Sequence, residues 1–187
     1  MDIDVRPATG RFEDVATVVG TQRADAGACW CMSYRDSRVR NLDRPAYLRA
    51  ECAERPGPGV LVYVDDEVAG WCSIAPRSTY RRLVHSRTIP DLDERDPWSA
   101  VCFVVRPGFR RQGLMHHLLA GAVAHAAASG AEVVEGYPVD VGPERVDVVA
   151  GYTGTVALFE RAGFTRAAAT TAHSGRRPRV LMRRELP

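Results

Sequence analysis

The segment Val104-Val105-Arg106-Pro107-Gly108-Phe109-Arg110-Arg111-Gln112-Gly113-Leu114-Met115 carries the strongest chemical signal in the chain. An apolar strand runs into a Pro-Gly turn, and the turn opens a helix whose first residues include two arginines and a glycine. A helix N-terminus presents unpaired N–H groups and a partial positive charge. That combination suits phosphate or pyrophosphate. Gly113 allows a ligand to come close to the backbone, and Arg110 and Arg111 can add charge-assisted hydrogen bonds. On these grounds alone an ordinary strand-to-helix turn with solvated arginines is an equal reading. The spacing matches neither G-x-x-x-x-G-K-[ST] nor G-x-G-x-x-G, which disfavours nucleoside triphosphates and dinucleotides.

The run Val105-x-Pro107-x-x-Arg110-Arg111-x-Gly113 resembles the coenzyme A pyrophosphate motif of GNAT acetyltransferases, commonly V-x-P-x-x-R-x-x-G-x-G/A. Leu158-Phe159-Glu160-Arg161-Ala162-Gly163-Phe164 is similar to the family's later L-Y-E-x-x-G-F signature. The runs Cys29-Trp30-Cys31-Met32, Gly70-Trp71-Cys72-Ser73 and Glu135 to Asp140 resemble a subset from GC-rich bacteria. The resemblance spans roughly residues 3 to 185. It implies acetyl-coenzyme A as co-substrate, held by Phe103, Val104, Val105, Arg110, Arg111, Gln112, Gly113, Leu114, Met115, Tyr152 and Phe159. Two positions depart from the pattern: Met115 stands where Gly or Ala is usual, and Phe159 stands where many members carry a tyrosine acid.

The resemblance further implies direct attack of an amine on the thioester. An alkylammonium has a pKa of about 10 and must lose a proton first. Glu135 and Asp140 are the leading candidates for the base, Glu135 ahead because it sits inside an apolar strand. Each is otherwise a solvated or hydrogen-bonded structural carboxylate. His85 is a lesser candidate. Tyr152 and Tyr137 are candidate acids, and each is otherwise a buried tyrosine with a satisfied hydroxyl. A main-chain N–H on Phe103 to Val105 is expected to polarise the carbonyl. Trp30, Met32, Trp98, Tyr137 and Arg77 are candidate walls of the acceptor site, with Trp71 and Arg81 as further members. Aromatic walls suit a cationic amine, whereas arginines suit an acceptor bearing a carboxylate or phosphate. The expected acceptor is a small-molecule amine. The alternatives are a protein or peptide amine, or a non-catalytic coenzyme A-binding sensor.

These residues need a scaffold. Ile3 to Ala8 reads as a strand, and Phe12 to about Ala26 as a helix. A second helix is expected from Asp43 to about Glu54. Val60 to Val64 and Val68 to Ala75 form a hairpin around Asp65-Asp66-Glu67. A long loop covers residues 76 to 97. Trp98 to Val105 is an apolar, hence central, strand. A helix from Arg111 to about Ser129 follows, then a strand from Glu132 to Val139, a short helix from Thr155 to Arg161, and a last hairpin of Phe164 to Thr171 with Arg179 to Arg184. The pattern predicts one α/β (α+β) domain over 1–187. Its expected core is a mostly antiparallel sheet of about seven strands, flanked by about four helices, with one βαβ crossover between residues 98 and 139. Splayed central strands follow from the resemblance.

Composition agrees with an ordinary globular chain: 187 residues, 45% hydrophobic, 26% charged and a net charge of +2, too small to imply nucleic-acid binding. No apolar run reaches the ~20 residues of a membrane span, and the start of the chain lacks a signal-peptide layout. The expected location is the cytoplasm, without membrane partners, as monomer or homodimer. All 25 basic residues are arginine, which excludes lysine-nucleophile chemistry. The five cysteines do not form a disulfide pattern, and Cys29-x-Cys31 alone is too sparse a ligand set for a metal.

Overall fold

The computed structural model describes residues 1–21, 27–141 and 151–187. Seven strands form a single sheet in the order β1-β2-β3-β4-β5-β7-β6. In chain order they are β1 (Ile3–Pro7), β2 (Gly59–Val64), β3 (Glu67–Pro76), β4 (Trp98–Val105), β5 (Val133–Gly136), β6 (Thr165–Ser174) and β7 (Arg177–Glu185). All neighbours are antiparallel except β4 and β5. The helices are α1 (Phe12–Val19), α2 (Arg44–Ala53), α3 (Arg81–Val84), α4 (Leu114–Ala128) and α5 (Val156–Arg161). The expected order of elements holds. The addition is α3, a single turn inside the long loop, which makes five helices among the described residues where about four were expected.

Period-two alternation divides the core between the two faces of the sheet. On one face Val60, Val62 and Val64 of β2 join Trp98, Ala100 and Phe103 of β4 beneath Leu118, Leu119 and Ala122 of α4. On the other, Leu61, Tyr63 and Trp71 meet Phe12 and Val15 of α1 and Leu48 of α2. Further along that second face, Tyr34, Tyr80, Leu83, Val101, Tyr137 and Leu181 pack together. The β2–β3 turn has Asp65 and Asp66 both at positive φ, 49° and 63°, the backbone twist that a two-residue hairpin prefers.

Two helix boundaries differ from the expectation for identifiable reasons. Helix α1 ends at Val19, because Gly20 turns to extended geometry (ψ −175°) there. A Cβ on Gly20 would lie 2.7 Å from the Trp30 ring. The rest of the expected helix, 22–26, lies outside the described residues. Helix α4 begins at Leu114 rather than Arg111, because Arg111 and Gly113 take left-handed backbone angles, φ 64° and 76°, and so keep the turn out of the helix.

The register between β4 and β5 matters most for the site. Only Trp98, Ser99 and Ala100 pair with Val134, Glu135 and Gly136. Beyond them β5 ends, while β4 continues to Val105 still paired to β3. A register shift between Ser73 and Ile74 leaves Val101 as an extra residue on β4, a bulge that raises local twist just where the strands part.

Candidate active site

The parting of β4 and β5 opens a groove of about 940 Å³. Phe103, Val104 and Val105 form one wall, the turn from Pro107 to His116 its mouth, and Tyr152, Thr155, Ala157, Leu158 and Arg161 the opposite wall. Among the described residues three arginines, Arg110, Arg111 and Arg161, line it, and no carboxylate does. Such a groove favours anions.

The turn at the mouth is built for a ligand with many acceptor oxygens. Helix α4 has no side-chain cap, its N-cap Gly113 being left-handed. Among the described residues no main-chain acceptor binds the amides of Arg111, Gln112, Gly113, Leu114 or Met115. Nothing lies within 4 Å of where a Gly113 Cβ would stand. Amides without main-chain partners at a helix start, beside open space at Gly113, fit a pyrophosphate. Arg110 is braced by its Nε donating to the Val105 carbonyl at 3.1 Å, and Gln112 Nε2 donates to the Gly108 carbonyl at 3.4 Å. Arg106 N–H bonds the Ala69 carbonyl on β3. Strand alternation then turns the amides of Val105 and Phe103 to the opposite side, toward the groove.

The other residues singled out from sequence fall into three places. Tyr152 lines the groove, half-buried. Asp140 lies after β5 and its Oδ2 accepts from Arg166 Nη1 at 2.8 Å. Glu135 and Tyr137 are wholly buried and do not line the groove. Glu135 Oε1 accepts from Arg183 Nε at 2.7 Å; Oε2 accepts from Arg77 Nη1 at 3.1 Å and from the Tyr137 hydroxyl at 2.7 Å. Arg77, expected on an acceptor wall, is instead tied into this cluster and to the Leu83, Ile89 and Pro90 carbonyls of the long loop. Burial, reinforced by the Glu135 charge, pushes the Tyr137 hydroxyl well above the usual phenol range, so it holds its proton.

Phe159, expected against the cofactor, is 0% exposed and sits edge-on to Phe103 and Phe164, with centroids 6.1 and 4.9 Å away. It is a core residue; its neighbour Leu158 faces the groove. Trp98 is likewise core, edge-on to His125 of α4 at 5.4 Å. Trp71 is fully buried, its indole N–H donating to Cys31 Sγ at 3.1 Å. Trp30 and Met32 are also buried, in the layer under α1. Arg81 and His85 are exposed on and after α3.

Sequence reasoning missed Arg161, Thr155, His116 and Phe109 on the groove, and Arg179, whose guanidinium lies against Tyr34 and Tyr137. It also missed Cys31 meeting Cys102 of β4. The hydrogen bond between those two thiols, helped by the Arg35 charge, pulls Cys31 down to about 7, and the same bond pushes Cys102 up. For Arg179 a signal existed: Arg179, Leu181 and Arg183 alternate on one face of β7, with Leu181 fully buried between them.

The family model described as the acetyltransferase (GNAT) family matches residues 26–164. The chain belongs to this family and is an acyltransferase. Its fold is similar to an acetyltransferase of the GNAT family from Streptococcus pneumoniae, at 16% identity and TM-score 0.58, covering all of both chains. It is also similar to the mosquito arylalkylamine N-acetyltransferase like 5b, at 12% identity and TM-score 0.58, covering 99% of this chain and 100% of the other. A third similar chain, at 12% identity, TM-score 0.58 and full coverage of both, comes from the NatC complex bound to Gag peptide and CoA. No curated protein sequence matches the chain. Membership of the family implies acetyl-coenzyme A and an acceptor as substrates; these neighbours include both small-amine and peptide enzymes. Among the described residues no helix is long and apolar enough to cross a membrane, and no cluster of three or more His, Cys, Asp or Glu is placed to hold a metal.

Proposed function

We propose that the protein transfers an acetyl group from acetyl-coenzyme A to the amine of a small molecule, the amine attacking the thioester directly. The observation that carries this reading is the row of unpartnered amides from Arg111 to Met115, at the mouth of an arginine-lined groove that begins where β4 and β5 separate. These amides and Arg110 and Arg111 would hold the diphosphate. The Phe103 or Val105 amide, turned toward the groove, would hold the thioester oxygen and stabilise the oxyanion. Met115 replaces a smaller residue but leaves every backbone donor in place.

Tyr152 is the hydroxyl on the groove best placed to give a proton to the departing thiolate. A thiol pKa near 8.5 makes that help modest. Glu135 has both oxygens engaged by two arginines and a tyrosine, so its part is to hold Arg77, Arg183 and Tyr137 in position. Asp140 is the remaining carboxylate candidate for removing the ammonium proton, acting through water. A small acceptor is supported by Tyr152, which lines the groove and packs against the buried Tyr34–Tyr137 cluster.

The test is thiol release from acetyl-coenzyme A with a panel of amines, alongside calorimetric binding of acetyl-coenzyme A. Binding with turnover of at least one small amine is expected. Binding without turnover of any amine or peptide would replace the reading by a sensor, and failure to bind would end it.

A further inference from the structure

Among the described residues four arginines are buried: Arg35, Arg77, Arg179 and Arg183. Three have a counter-ion. Arg35 pairs with Glu51, and Arg77 and Arg183 share Glu135. Arg179 has none among the described residues, although it is only 4% exposed. Its Nε donates to the Tyr137 carbonyl at 2.8 Å, and its guanidinium lies 5.8 Å from the ring centroids of both Tyr34 and Tyr137. Its Nη2 has no hydrogen-bond partner. A guanidinium out of water, without counter-charge and with an idle donor, is costly to keep in an empty protein.

Arg179 does not stand alone. Among the described residues three buried side-chain polar atoms lack a partner: Arg179 Nη2, the Tyr34 hydroxyl and Thr153 Oγ1. Tyr34 stacks on Arg179, and Thr153 follows Tyr152, which lines the groove and packs in the same cluster as Tyr34. Burial holds the Tyr34 hydroxyl up to about 12 against the pull of the Arg179 charge, so it remains a donor. Arg179 and the Tyr34 hydroxyl, which lie side by side, can both donate, and between them they carry one positive charge.

We propose that Arg179, with the Tyr34 hydroxyl, binds a carboxylate of the acceptor, and that the acceptor is therefore an amino acid or a similar amine bearing a carboxylate. One guanidinium balances one carboxylate, whereas a doubly charged phosphate would be left half-neutralised. The site adjoins Tyr152, so a carboxylate seated there places the rest of a small acceptor toward the thioester end of the groove. The assignment rests on the acyltransferase reading for its meaning, but the anion site can be tested apart from it.

The experiment compares matched pairs differing only in the carboxylate: L-phenylalanine with phenethylamine, L-methionine with 3-(methylthio)propylamine, and L-lysine with cadaverine, within a panel of all the common L-amino acids. Wild-type protein and Arg179→Gln are measured by thiol release and by thermal shift. The acids should be the better substrates. Arg179→Gln should raise their KM by roughly 10- to 100-fold, the loss of one buried charge-assisted bond, while leaving the decarboxylated amines unchanged. The acids should raise the melting temperature of the wild type and not of the variant. The ligand-free variant should melt no lower than the wild type, since it sheds an uncompensated charge. Tyr34→Phe, which removes only a hydroxyl, should shift acid KM in the same direction.

Equal or better turnover of the decarboxylated amines, a variant that affects acids and amines alike, or a variant that melts far below the wild type would each overturn the assignment. So would the absence of any carboxylate-dependent thermal shift. A carboxylate-dependent shift with no acetyl transfer to any amine would keep the anion site and refute the acyl-transfer reading, so the two failures are distinct.

Discussion

Replacing Glu135 by glutamine separates a structural carboxylate from a catalytic one. The wild-type group is fully buried and accepts three hydrogen bonds, from Arg183, Arg77 and Tyr137. Glutamine keeps the shape but removes the charge, and its amide N–H₂ must face an arginine N–H where an oxygen stood. Removing one partner of a buried ion pair costs about 3–5 kcal/mol. Arg183 retains Asp93 and Arg77 retains three carbonyls, which places the expected loss near the lower figure, about 3 kcal/mol. For a chain of this size that lowers the melting temperature by roughly 6–12 °C, out of a total stability of about 5–15 kcal/mol. Scanning calorimetry and urea unfolding measure it, with turnover recorded well below the transition. The expected result is a clear loss of stability with kcat within a few-fold of wild type. An unchanged melting temperature together with a rate loss of about 10²–10⁴, the usual worth of a general base, would refute the reasoning and return Glu135 to the reaction itself.

Further expectations concern the groove and its support. Arg110→Ala combined with Arg111→Ala should weaken acetyl-coenzyme A binding roughly 10- to 100-fold and flatten its salt dependence; unchanged affinity by calorimetry would mean that the arginines are only solvated. Gly136→Ala would place a Cβ 2.0 Å from the Phe159 ring, which is locked in the core. Overpacking of this kind costs about 1–3 kcal/mol, visible as a lower urea midpoint, and a wild-type midpoint would show that α5 yields freely. Cys31 has its thiol lowered from 9.0 to about 7 in the folded protein. The stability it contributes is present above pH 9 and is lost as the pH falls through about 7. Urea unfolding of wild type and Cys31→Ser should therefore differ more near pH 9 than below neutrality, and the opposite order would contradict the shift.

Local features were legible from sequence and long-range ones were not. The turn from Val104 to Met115 is recognisable because strand, turn and helix start are contiguous, and its chemistry comes from main-chain groups that any residue supplies. Glu135 is legible as unusual, since a carboxylate in an apolar strand must be either used or compensated. Its compensation comes from Arg77 and Arg183, 58 and 48 residues away, a distance at which no local pattern speaks. Phe159 illustrates the same limit. On a helix of six residues, which side meets the groove depends on how α5 lies against β5, and it is Leu158 that faces out. The buried, unpaired state of Arg179 depends on Tyr34 and Tyr137 closing over it. Helix ends depart from the periodic pattern where backbone geometry overrides it, at Gly20 and at Arg111 to Gly113.

The seam between β4 and β5 is only three residue pairs long, so four strands on one side and three on the other meet along a very short join. The Arg77–Glu135 bond runs across it, from the end of β3 to β5, and Ser99 on the strand between them meets the Tyr137 hydroxyl at 2.8 Å. This polar tie works as a cross-brace set just behind the point of a wedge. It fixes the angle at which the two half-sheets diverge, and a guest driven between them meets a frame already held open.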